Sequence, residues 1–397
     1  MLRTVNRARV CLGGVLVAVG GAGAACGQVL AEDTVLPASD GGASDGPTVV
    51  VDAATGDVAT TPAGACSAPP APSCNPQSCT KRVLHESASV RGAPWGIATD
   101  DSFVYWLEQP ATNDGYNGHA AARVLRASKD AVASSRQGTA LATDQPRAIS
   151  IAVTGGWAYW TVYEGSADSM FAELRRIRTN CEGSCEIDAV GITTEGVRIM
   201  KLVPAAPGVL FGLSESGHVF RFDVGGSALT VAGPLIVKGK FPSLVVTGQH
   251  VLVSSANSDT ISRIDLAGMD VVPSFISIPP RDGGEPGISN MWTDCTDVWA
   301  RRGPKTELVR LSLLDAGLST ISDSDVALTP YDVAGDARFV YLAGANEGLF
   351  ALDRTTSKLE EVGGIKAFAV ATDAEGTYWG EHDIDHPSAG TIYMMVK

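Results

Sequence analysis

A phrase of two short strands around a tight turn returns along this chain. In "GIATDDSFVYWLE", residues 96–108, an apolar piece leads into a polar turn and then an aromatic strand, and the same order recurs in "ISIAVTGGWAYWTV" (149–162) and "FAVATDAEGTYWGE" (368–381). Weaker copies lie between them, so that units begin near Trp95, Arg147, Arg198, Phe241, Glu285, Pro330 and Ile365. After the aromatic strand comes a loop and a third strand that is often basic and apolar together, as in "ARVLRAS", "ELRRIRT" and "HVFRFDV", and then a weaker fourth piece such as "ALTVAG". Four antiparallel strands at a period of roughly 40–50 residues form a unit that cannot bury both faces of its own sheet, so the units must pack on one another in a closed array.

The pattern predicts an all-β chain folded as a β-propeller of seven four-stranded blades, or six if "SNMWTDCTDVWARR" (289–302) or its neighbour is an insertion. The last unit stops after three strands. Its missing outer strand is expected from "RVLHESAS", residues 82–89, which would fasten the two ends of the chain together and remove an open sheet edge. Composition agrees: 44 Gly and 21 Pro among 397 residues suit many short strands joined by turns, and few windows sustain a helical apolar stripe.

The Tyr-Trp pairs Tyr105-Trp106, Tyr159-Trp160 and Tyr378-Trp379, with Val340-Tyr341-Leu342 keeping only the tyrosine, resemble the YWTD class of extracellular β-propellers and exported bacterial proteins with degenerate repeats of that look. The resemblance covers residues 83–397. Glu108, Val162 and Glu381 stand where the class closes its motif with Asp, and six blades rather than seven is usual there. It implies the fold and an exported location, and it names no ligand; packing between blades is the expected role of each tryptophan.

Upstream of the repeats the chain changes character. Arg3, Arg7 and Arg9 precede an apolar run too short and too rich in glycine for a membrane span, so residues 1–25 read as an export signal. Gly23-Ala24-Ala25-Cys26 is similar to a bacterial lipobox with Gly in place of the usual aliphatic residue, and predicts lipidation of Cys26 and attachment to a membrane of the cell envelope; an ordinary cut after Ala22-Gly23-Ala24 would give a soluble secreted or periplasmic chain. Residues 26–65 contain neither Lys nor Arg and no aromatic residue, the composition of a disordered acidic tether. Residues 66–82 form a Pro- and Cys-rich segment. With Cys11 in the signal and Cys26 acylated, Cys66, Cys74, Cys79, Cys181, Cys185 and Cys295 remain as an even set for disulfides. Cys181 and Cys185 are close enough to bridge each other, and one bridge is expected to pin the N-terminal segment through Cys295; the pairing of the other four is left open by the sequence.

Chemistry is sparse. The net charge of −14 argues against nucleic acid as a partner. "GLSES" (212–216) lacks the second Gly of a nucleophile elbow, "GPLIVKGK" (233–240) is out of P-loop register, and no H-E-x-x-H occurs. "GEHDIDHP" (380–387) sets Glu381, Asp383 and Asp385 on one side of an extended loop, where they could hold calcium, with His382 and His386 as possible transition-metal ligands. The corresponding loops of the first two units are also long and polar. Blades seven, one and two would be neighbours, so Tyr116, His119, Tyr163, Glu164, Asp168, Glu381, His382 and Asp385 are expected on one interaction face. The leading expectation is a non-enzymatic binding module for a protein or glycan, without a cofactor; a metal-dependent propeller hydrolase or lactonase and a structural envelope protein are the alternatives.

Overall fold

The computed structural model describes residues 68–87, 92–110, 121–130, 137–164, 171–183, 185–192, 198–206, 208–224, 243–254, 260–266, 270–278, 287–302, 307–315, 317–322, 330–344, 347–364, 366–382 and 390–397. They form seven antiparallel sheets, six of four strands and one, the third, of three among the described residues. Blade one runs Gly92–Thr99, Phe103–Pro110, Ala121–Ser128, Thr139–Pro146 from the inside outward. The inner strands of blades two to seven are Ile151–Thr154, Ile199–Ala206, Ser243–Thr247, Ile288–Thr293, Pro330–Gly335 and Ala367–Thr372. Each touches the inner strands on either side, and the last touches the first, so the seven close a ring around a central channel. The fold is a seven-bladed β-propeller. "SNMWTDCTDVWARR" supplies the first two strands of blade five and is no insertion.

Seven apolar cores hold the ring, one at every junction between neighbouring blades. The recurring Tyr-Trp pair explains how. Successive residues of a strand point to opposite faces of the sheet, and in a blade those faces meet different neighbours. Tyr105, Tyr159 and Tyr378 enter the core shared with the following blade, whereas Trp106, Trp160 and Trp379 enter the core shared with the preceding one. All six are buried.

Two polar devices repeat with the same period. In blades one, six and seven the turn after the inner strand opens with Asp100, Asp336 or Asp373, whose carboxylate accepts from two backbone N–H groups of its own turn and from the hydroxyl of Tyr105, Tyr341 or Tyr378 five residues on. Opposite the middle-strand aromatic position, the third strand of blades one to five carries Arg126, Arg176, Arg221, Arg263 or Arg310. The first three reach the next blade: Arg126 donates to the carbonyls of Thr179 and Cys181, Arg176 to Val224 and Arg221 to Leu266. The basic-apolar third strand is therefore a row of straps between blades.

Ring closure follows the predicted route with a shift of boundary. Lys81–Glu86 pairs antiparallel with Thr391–Val396, Lys81 opposite Met395 and Glu86 opposite Thr391, as the outer strand of blade seven. Leu84 drops into the core between blades seven and one, and His85 leans on Trp106 with ring centroids 4.8 Å apart. Gly138 N donates to His85 Nδ1, which leaves Nε2 as the protonated nitrogen, 3.3 Å from Glu108 of blade one. Glu108 is also bound by Arg123.

The segment before the closing strand lies under the ring, on the side of the first-to-second-strand turns. Cys74 and Cys79 are joined and pack on the core between blades six and seven, and Ala337 N in the underside turn of blade six donates to Pro69 O. Cys181 and Cys185 are joined in the underside turn of blade two. Cys295, in the underside turn of blade five, is also disulfide-bonded, to a cysteine outside the described residues. Cys26 and Cys66 lie outside them too.

Candidate functional site

Every inner strand runs from one face of the ring, here the mouth face, to the underside. The second-to-third-strand loops also lie at the mouth face, because the second strand returns there. Strands lining the channel would ordinarily turn their side chains to the neighbouring blades. Bulges change this. The inner strands of blades one, three, five, six and seven each carry a register shift, at Met200, Tyr331 and Phe368 one residue from the mouth end and at Gly96 and Asn290-Met291 in mid-strand. An extra residue in one strand re-aims a side chain out of the pleat. At two of these bulges the backbone turns left-handed: Gly96 and Asn290 adopt positive φ, 58° and 52°.

The bulges of blades six, seven and one build an aromatic cluster. Phe368 stands between Trp95 and Tyr331, with centroids 5.5 and 5.9 Å away, and Trp95 meets Tyr331 edge-on at 6.4 Å. His382, beyond the second strand of blade seven, backs Phe368 at 6.4 Å. Phe368 and His382 are buried, whereas Tyr331 is 50 % exposed. Among the large apolar and aromatic side chains, Met200 on the inner strand of blade three is likewise exposed, at 39 %.

Next in sequence to these two exposed residues stand opposite charges. Lys201 Nζ lies 3.8 Å from Asp332 Oδ1. Blades three and six are not neighbours, so this pair crosses the channel. Asp332 also does a structural job: its Oδ2 accepts from Val370 N of blade seven at 3.1 Å. Ser150 does the same for Leu202 N between blades two and three, and Ser243 for Met291 N between blades four and five. A hydroxyl thus suffices for the inter-blade bond, and the carboxylate adds a charge that the bond does not need. Burial pushes the Asp332 carboxyl up, against the opposing pull of Lys201 and the N–H groups of Val370 and Val333. A quarter of its side chain, 25 %, still opens to the channel.

Of the residues expected on the interaction face, Tyr163, Glu164, Glu381 and His382 are among those described. Tyr163 is buried in the core between blades two and three, with Arg198 over its ring, and His382 is buried behind Phe368, so neither ring is at the surface. Glu381 ends the second strand of blade seven and accepts from Trp379 Nε1 at 2.6 Å; burial raises its carboxyl, with Trp379 and Lys81 opposing. Glu164 ends the second strand of blade two, opposite Phe171. Tyr116, His119, Asp168, Asp383 and Asp385 lie outside the described residues. Among the described residues no group of three or more His, Cys, Asp or Glu side chains could hold a metal ion.

No protein-family model matches the sequence, and no curated protein matches it. Solved structures do match in fold. YCF48 from Cyanidioschyzon merolae is 10 % identical with a TM-score of 0.55, covering 80 % of this chain and 98 % of its own. YCF48 bound to D1 peptide is 11 % identical with a TM-score of 0.52, covering 83 % and 98 %. The WD40 β-propeller domain of Doa1 is 12 % identical with a TM-score of 0.49, covering 79 % and 96 %. What this chain shares with them is the propeller.

Sequence reasoning placed an interaction face around the channel mouth but passed over the inner strands there, because they read as mainly Ala, Val, Ile, Ser and Thr. The signal was "PYDVAG", which sets a Tyr-Asp pair inside an otherwise apolar inner strand.

Proposed function

We propose that this protein is a non-enzymatic recognition module of the cell envelope, exported in the manner of YWTD-like propellers and held through lipidated Cys26, with the mouth of its channel as the binding surface. One observation carries the reading: an exposed tyrosine, backed by two further aromatic rings, is set at a channel mouth crossed by an ion pair. Exposed aromatic residues on a rigid scaffold are the side chains that give most binding energy for least lost freedom. The YCF48 structure bound to a peptide supports the choice of a binding role on such a scaffold. The metal-dependent hydrolase is disfavoured, since the ionisable pair at the mouth is one acid and one lysine rather than a convergent set of metal ligands.

A photo-crosslinking residue placed at Tyr331 in cells is expected to capture a partner, while the same residue at Leu314, 87 % exposed on the underside, captures none. Equal capture at both, or capture at Leu314 alone, refutes the mouth as the binding surface. Mass spectrometry of the mature chain should give a lipid-modified Cys26 as its first residue, and an unmodified Ala25 start would refute the anchor.

A further inference from the structure

The mouth sets two opposite charges beside aromatic rings, and that combination restricts its occupant. Lys201 and Asp332 each keep part of the side chain open to the channel, 31 % and 25 %. A lone cation drawn to Asp332 would be repelled by Lys201 and would leave that ammonium without a counter-charge. A lone anion on Lys201 would strand Asp332 in the same way. Separating a partly buried pair is costly unless both members are re-paired. A ligand with both signs a few ångströms apart meets the two charges together, and the shortest such arrangement in ordinary metabolite chemistry is an α-ammonium and an α-carboxylate on one carbon.

The surroundings fit the rest of such a molecule. Tyr331 precedes Asp332 and Met200 precedes Lys201, so each charge has an exposed apolar or aromatic neighbour supplied by a bulge, with Phe368 and Trp95 behind Tyr331. Resting on the mouth as the recognition site, we propose that it takes the zwitterionic head of a free α-amino acid with an aromatic or large apolar side chain: ammonium on Asp332, carboxylate on Lys201, side chain against Tyr331 and Met200. This also gives a reason for Asp332 where blades two and four use serine.

Calorimetric titration of the full-length chain tests the proposal with L-tryptophan, N-acetyl-L-tryptophan and L-tryptophan amide. L-Tryptophan is expected to bind saturably, and blocking either end should weaken binding by about tenfold or more, the effect of losing one charge-assisted hydrogen bond. Asp332→Asn, which keeps an oxygen for Val370 N, Lys201→Gln and Tyr331→Ala should each weaken it by about tenfold as well. Unchanged melting curves for the latter two confirm folding independently of Asp332. The proposal is overturned if neither L-tryptophan, L-phenylalanine nor L-leucine binds, if both capped forms bind as well as the free amino acid, or if the charge variants bind normally. Sensitivity to one cap alone also overturns it, in favour of a peptide terminus. Crosslinking at Tyr331 without amino-acid binding would leave the mouth as a recognition surface and remove only this ligand class.

Discussion

Asp336 is wholly buried and Asp100 only partly, although both accept a hydrogen bond from a tyrosine hydroxyl five residues on. The two sites therefore respond differently to the same change. Tyr341→Phe removes one of the few partners available to a buried carboxylate and is expected to cost about 1–3 kcal/mol. Water can replace the hydroxyl at Asp100, so Tyr105→Phe should cost less, about 0.5–1.5 kcal/mol. Denaturant midpoints of the two variants check the order, and a larger loss for Tyr105→Phe would refute it. Burial, reinforced by the neighbouring aspartate, also drives the hydroxyls of Tyr341 and Tyr378 far above the ordinary phenol range, so they remain donors at any physiological pH. The Asp-to-Tyr spacing is legible in "DDSFVY", "DARFVY" and "DAEGTY", yet attention to an Asp after the Tyr-Trp pair hides the one before it.

At the scale of elements, the closing strand is where the ring depends on charge. Burial alone would raise the Glu108 carboxyl, but the hydrogen bonds from His85 and Arg123, with the Arg123 charge, hold it below the usual carboxylate range. A carboxylate whose folded pKa is depressed contributes stability above its unfolded value of about 4.3 and loses it as pH falls through the folded one. Native protein should therefore lose more stability than Glu108→Gln on going from about pH 5 to pH 3. Thermal melts across that range test it, and parallel curves would sink the claim. The closing strand is legible in the sequence alone, because a spare alternating segment lies ahead of the first unit and the last unit lacks one. Its upper end is not, since "ESAS" carries no residue that marks where pairing stops. The bulges are equally hidden: register depends on the partner strand as much as on the bulged one, so Tyr331 and Met200 read as ordinary inner-strand residues.

For the whole molecule, strand order predicts that the break in the chain can be moved. Val396 N donates to Thr80 O, so the C-terminus and the start of the closing strand already sit side by side at the underside. A permuted chain that begins at Gly92, runs to Lys397 and continues through a short glycine link into residues 80–87 should fold to the same ring as a hairpin-closed blade. Retention of the β-rich circular dichroism spectrum and a cooperative melt would bear this out; an aggregated or partly folded chain would contradict it. Blade number and closure follow from the period of the sequence, while the channel mouth emerges only on assembling residues of blades one, three, six and seven, which lie up to 273 positions apart, from Trp95 to Phe368.

The bridge at Cys295 and the bond between Pro69 and Ala337 give the wheel a fixed mounting point. Both lie beneath blades five and six, on the face opposite Tyr331 and Lys201. A tether through the N-terminal segment, as proposed above, would hold the molecule by its back and leave the rings facing front.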